Sequence, residues 1–175
     1  TLAQADQEYK RAISQYTQSL TSRNRLLKRV REGLAKVDEL DFWTQQLTLH
    51  GQIISVKRTY FFEFLNKQIT ESLLKIQSGK DLKFEYKQSI ISQERSEQYL
   101  PKEIASASSL IGPHRDDFSF TLGGNNLAFF GSRGEVRTAV LDLKLAELKF
   151  IEKVFKSKPV LLLDDIFSEL DFKHQ

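Results

Sequence analysis

The sequence predicts an antiparallel α-helical hairpin over residues 1–80 joined to an α/β lobe over residues 81–175, and three observations carry that expectation. Tyr9, Ile13, Tyr16, Leu20, Arg23, Leu27, Val30, Leu34 and Val37 follow one another at alternating spacings of four and three, which is a heptad seam. From Leu82 the apolar period falls to two. Further on, a helical pattern over 135–155 runs into the apolar stretch 159–163, and a helix followed by a buried strand is an α/β signal.

The seam makes residues up to Val37 one arm of a coiled-coil-like hairpin, with Arg23 marking a break in its apolar contacts. A turn is expected around Leu40-Asp41-Phe42. Trp43, Leu47, Ile54, Phe61, Leu65, Ile69, Leu73 and Ile76 then keep helical spacing up to Ser78-Gly79-Lys80. A short connection favours antiparallel packing of the two arms. Gly33 and Gly51 are expected to weaken them. Leu82, Phe84 and Tyr86 alternate with charged residues as a half-buried strand does. Residues 94–108 suit one or two short helices interrupted at Pro101. Phe118, Phe120 and Leu122 alternate again before Gly123-Gly124-Asn125-Asn126, which suggests a hairpin returning through Leu127-Ala128-Phe129.

Of the 175 residues, 40% are hydrophobic and 28% charged, a globular composition that excludes a disordered or collagenous chain. The apolar runs are far shorter than the roughly 20 residues of a membrane helix, and the polar start is no signal peptide, so a cytoplasmic protein is expected. Without Cys, and with His50, His114 and His174 scattered, any metal must sit on carboxylates. The absence of Met and of a helix-stop signal after Phe172 reads as a fragment. The excess positive charge belongs to the first third: residues 1–60 carry ten Lys and Arg against six Asp and Glu. Its densest part, Arg23, Arg25, Lys28, Arg29, Arg31 and Lys36, suits either phosphate contact or a solvated helix face.

Chemistry concentrates in the last third. Val160-Leu161-Leu162-Leu163-Asp164-Asp165 is an apolar strand ending in two acids, the place where nucleotide-bound Mg²⁺ and an attacking water are handled in P-loop ATPases. Ser132, Arg133, Gly134 and Glu135 open a long helix, where a hydroxyl, unhindered amides and the helix dipole suit a terminal phosphate. The same letters make a capping box, and the two readings are compatible. Gly112-Pro113-His114-Arg115-Asp116-Asp117 reads as a turn into the Phe118 strand.

Taken together, Leu110 to Asp117, Phe130 to Thr138, Leu141 to Glu147 and Leu161 to Asp171 resemble motifs of the RecF DNA repair proteins, members of the ABC-type ATPases that include the chromosome-maintenance proteins. The resemblance covers about residues 108–172 and implies an ABC-type lobe carrying a signature motif, a Walker B strand and a D-loop, with the hairpin as helical insertion. It implies that Asp164 holds Mg²⁺ and that Asp165 stands at the position of the catalytic base. Ser132, Arg133, Gly134 and Glu135 would bind the ATP held by a second subunit, and Ser168 and Asp171 would couple the two sites. His114 and Arg115 would lie at a nucleotide or DNA face, and Arg23, Arg25, Lys28, Arg29 and Arg31 remain candidates for DNA contact.

The implied function is an ATPase acting in DNA replication and recombinational repair. It would dimerise on ATP, bind double-stranded DNA near single-strand gaps, and work with the mediators RecR and RecO. The sequence departs from the pattern in Glu135, where Gln is frequent, and in Asp165, where ABC-type enzymes more often carry Glu. It also holds no Gly-x-x-x-x-Gly-Lys-[Ser/Thr], so this stretch alone is expected to be inactive. The rival readings are a non-catalytic coiled-coil interaction module and another chromosome-maintenance-like ATPase.

Overall fold

The computed structural model describes residues 1–70 and 81–160. Its elements run α1 (Leu2–Ala5), α2 (Gln7–Arg31), α3 (Leu40–Thr70), β1 (Leu82–Lys87), α4 (Gln93–Ser106), β2 (Asp117–Leu122), β3 (Asn125–Asn126), α5 (Leu127–Phe130) and α6 (Arg133–Phe155), with 3-10 turns at Val37–Glu39 and Pro113–Arg115. The described residues fall into two units: a helical unit of Leu2–Thr59 and Lys87–Asp117, and a sheet unit of Thr1, residues 60–70, 81–86 and 118–160. The segment after β1 returns to the hairpin because its side chains bond to α2 and α3.

In the helical unit, Asp6 caps α2 by accepting the Tyr9 N–H at 2.9 Å. The helix stops at Arg31 rather than continuing to Val37, because Gly33 takes φ +72° and closes the end. The Leu34 N–H bonds the Arg29 carbonyl at 2.8 Å and the Gly33 N–H bonds that of Val30 at 3.0 Å, the paired bonds of a Schellman stop. Gly33 is thus a terminator rather than a weak point inside the arm, and Leu34, 65% exposed, lies beyond the seam. The turn falls at 32–36, and Leu40 already begins α3.

The arms are antiparallel: Tyr9 bonds Arg58, Tyr16 packs on Gly51, Arg23 bonds Thr44, and Leu27 shares a cluster with Leu40, steps of seven, seven and four residues up one helix and the same down the other. Small residues set the closest approach. Ala12 and Ser19 are buried, whereas Ile13 and Leu20, expected in the seam, flank it half-buried. Gly51 earns its place sterically, since a Cβ there would stand 2.8 Å from Ile91 Cγ2 and 3.3 Å from Tyr16 Cε2. The predicted apolar positions Leu47 and Ile54 of α3 are buried here. Pro101 does not interrupt α4; it and Glu97, the residue whose carbonyl loses a partner, are both exposed. Leu100 and Ile104 pack on Leu26, Leu27 and Leu40.

In the sheet unit the strands lie in the order β1-β2-β3, and β2 pairs antiparallel with β3 through Thr121 with Asn126 and Leu122 with Asn125. The turn is the pair Gly123 and Gly124, at φ +56° and +85°, so the return strand is two residues long and Leu127–Phe130 is helical rather than extended. Leu122, Leu127 and Ala139 form a core with Leu82 and Phe120 against it. Phe61 and Phe64, at the end of α3, meet the Phe150 ring edge-on at 4.8 and 5.3 Å. Asn66 bonds both main-chain groups of Phe84, accepting its N–H at 2.8 Å and donating to its carbonyl at 2.6 Å, as a neighbouring strand would. Of the strand expected over 159–163, Leu161 to Leu163 lie outside the described residues, as do Leu73 and Ile76 of the second arm.

Candidate nucleotide and nucleic-acid interface

Ser132 is the N-cap of the 23-residue helix α6, and the capping box is complete. Ser132 Oγ accepts the Glu135 N–H at 3.2 Å, and Glu135 Oε2 accepts the Ser132 N–H at 2.8 Å. The cap does not close the site. Ser132, Arg133 and Gly134 are exposed, and a Cβ added at Gly134 would meet nothing within 4 Å. Thr138 Oγ1 bonds the Gly134 carbonyl at 3.0 Å and Thr138 is buried, so the first turn is anchored from below. An anchored helix start with a hydroxyl and free space over a glycine fits a phosphate group.

The predicted Walker B and D-loop residues Asp164, Asp165, Ser168 and Asp171 lie outside the described residues. Among the described residues no group of three or more His, Cys, Asp or Glu is placed to hold a metal ion, and no helix is long and apolar enough to cross a membrane.

The 112–117 turn is built by hydrogen bonds to both arms of the hairpin. His114 Nε2 lies 3.0 Å from the Ser109 carbonyl, which only accepts, so Nε2 carries the proton and Nδ1 accepts from Tyr16 Oη at 2.7 Å. Burial pushes the His114 imidazole below its ordinary value, opposed by the bond to Ser109 and reinforced by the Arg115 charge. Burial likewise pushes the Tyr16 phenol far above its usual range. Arg115 donates to the Ser109 carbonyl at 3.1 Å. Asp116 accepts from Arg58 Nη1 at 2.6 Å and from the Ser89 N–H at 2.8 Å, and Arg58 also donates to Tyr9 and to the Pro113 carbonyl. Burial works against the Arg58 charge, but Tyr9 and Asp116 outweigh it and hold the guanidinium above its ordinary range.

Arg23 is the clearest correction to the sequence reading. It is 3% exposed, ion-paired at 2.7 Å with Glu103, itself 1% exposed, and bonded to Thr44 and Ser109. A guanidinium sealed in this way does not face a phosphate, so the basic cluster loses that member, while Arg25, Lys28, Arg29 and Arg31 are exposed. Arg23 does not break the arm's packing either; it fills its place in the stripe with a charge neutralised from α4. Glu103, Ser109 and Arg58 were invisible as a site, because their partners stand 80, 86 and 58 residues away, at Arg23 and Asp116.

Comparison with known proteins follows the same chain from end to end. No family model matches. The chain is 38% identical over 178 residues to the DNA replication and repair protein RecF of Moorella thermoacetica, covering 99% of the chain and 48% of that protein. With the RecF of Bacillus thuringiensis it is 38% identical over 186 residues, covering 97% of the chain and 49% of that protein. Two solved structures of the recombination mediator protein RecF in the RecFOR pathway, one with ATPrS and one with ATP, superpose with a TM-score of 0.84 at 33% identity, over 95% and 96% of this chain and 48% of theirs. The chain spans about half the length of the curated relatives it matches.

Proposed function

The chain belongs to the RecF family, and from that premise we propose that the whole protein is a cytoplasmic, nucleoid-associated ATPase of DNA replication and recombinational repair. It dimerises on ATP, binds duplex DNA near single-strand gaps, and works with mediators of the RecR and RecO kind. The observation that carries this reading is the open, anchored start of α6, where Ser132 and Gly134 stand ready for a phosphate from outside their own chain. Arg133 is exposed beside them and adds positive charge. In this reading Asp164 takes Mg²⁺, Asp165 orients or deprotonates the attacking water, and Ser168 and Asp171 link the two nucleotide sites. ATP with Mg²⁺ supplies the conformational drive, and the helical unit supplies surface for partners.

The test is Ser132→Arg in the full-length protein. Each monomer should still bind nucleotide while ATP-dependent dimerisation, followed by light scattering, is lost. Normal dimerisation of this variant would leave Ser132 as a helix cap and nothing more.

A further inference from the structure

Some cations of the helical unit are held by carboxylates and others are not. Arg23, Lys57 and Arg58 are held by Glu103, by Asp6 and Glu8, and by Asp116. Arg25, Lys28, Arg29, Arg31 and Arg115 are all exposed, and among the described residues none has a carboxylate at ion-pair distance. A helix dipole accounts for cations in the last turns of α2. It does not account for Arg115, which arrives from the 113–115 turn.

The contact between Asn24 and Ser109 decides which of these charges share a surface. Asn24 Oδ1 accepts both the N–H and the hydroxyl of Ser109 at 2.8 Å, and Arg115 lies across the Ser109 carbonyl at 3.1 Å. Arg115 and Asn24 are thereby tied to the same residue, Ser109, through its carbonyl and through its N–H and hydroxyl. At about 100° per residue, Lys28 and Arg31 lie within about 40° of Asn24 around α2, whereas Arg25 and Arg29 are turned away by about 100° and 140°. The rise from Asn24 to Arg31 is about 10 Å, or about three steps along a DNA strand.

We propose that Arg115, Lys28 and Arg31 form one strip that binds the phosphodiester backbone of duplex DNA, an inference that rests on the DNA-binding function proposed above and assigns it a surface. The strip is a row of separate cations with no enclosing pocket, so it grips phosphates without reading bases.

The experiment measures binding of the ATP-loaded, full-length protein to a gapped duplex across a salt series. Arg115→Gln, Lys28→Gln and Arg31→Gln should each flatten the slope of log K against log salt by up to about 0.9, and the triple variant by up to about 2.7. Arg115→Lys should keep the wild-type slope, and the pair Arg25→Gln with Arg29→Gln should flatten it less than the pair Lys28→Gln with Arg31→Gln. An Arg115→Gln protein with wild-type melting and wild-type slope overturns the strip while leaving DNA binding intact. So does the reverse order of the two pairs, or equal displacement by inorganic phosphate at matched ionic strength. Wild-type protein that binds no duplex at any salt overturns the parent reading and the strip together.

Discussion

Tyr16 and His114, 98 residues apart in the chain, meet at 2.7 Å, and that bond fastens the 112–117 turn to the first arm of the hairpin. The ring is spoken for on both sides, since its other nitrogen donates to Ser109. A second proton on the imidazole would occupy Nδ1 and so end its role as acceptor for the Tyr16 hydroxyl.

This gives stability a pH dependence of known sign. The His114 value is lowered from 6.5 in the folded chain, so the unfolded chain takes up a proton first as pH falls. The contribution is complete above about pH 6.5 and is lost as pH falls through the folded value, with a slope of one proton at most. Urea unfolding at pH 7.5, 6.0 and 5.0 should show a steeper acid loss in wild type than in His114→Asn. Parallel losses would mean that His114 does not titrate with folding.

The ion pair of Arg23 with Glu103 should behave as a buried pair does. Arg23→Met alone leaves Glu103 charged and sealed, and should cost about 3–5 kcal/mol by chemical denaturation. Joining it to Glu103→Leu should recover part of that loss, because the uncompensated charge goes while the Leu110 N–H, which Glu103 Oε1 accepts at 2.7 Å, loses its partner. A double variant as unstable as the two single losses added together would contradict the coupling.

Gly112 carries φ +116°, and a Cβ there would strike Tyr16 Oη. Gly112→Ala should therefore destabilise by about 1–3 kcal/mol. Pairing it with Tyr16→Phe should restore only part, since the clash goes and the backbone strain stays. Melting temperatures of the three proteins separate the two contributions.

The cap and phosphate roles of Ser132 can be separated with Ser132→Asp. Aspartate keeps a cap acceptor for the Glu135 N–H, so melting should hardly change, whereas Ser132→Ala should cost about 1 kcal/mol. Its carboxylate would repel a phosphate, so ATP-driven dimerisation should fail. An Asp variant that dimerises as wild type does would remove phosphate from the account of this helix start.

Asp165→Asn in the full-length protein should abolish ATP hydrolysis and prolong the ATP-bound dimer, because it removes the basic carboxylate and leaves Asp164 for Mg²⁺. The 175-residue chain by itself should show no turnover above background, having no phosphate-cradling glycine loop. Loss of nucleotide binding together with hydrolysis would contradict the division of roles between the two acids.

What could be read in the sequence was local and periodic. Heptad spacing announced the first arm and helical spacing the second, the alternation from Leu82 announced β1, and Ser132 with Glu135 announced the capping box at α6. Glycine misled because its meaning is positional: Gly33 ends a helix by its φ, Gly51 admits Tyr16 by its size, and the sequence distinguishes neither from a helix weakener. Arg23 misled for a different reason. An arginine amid arginines reads as surface until Glu103, 80 residues away, is placed against it.

The Asn66 amide has a consequence for assembly. Among the described residues β1 ends the sheet; an end strand is a template on which another segment can continue the ladder, and the amide occupies that template at Phe84 with a side chain that cannot propagate it. A further strand pairing with β1 at Phe84 would first have to evict Asn66 and forfeit two short hydrogen bonds.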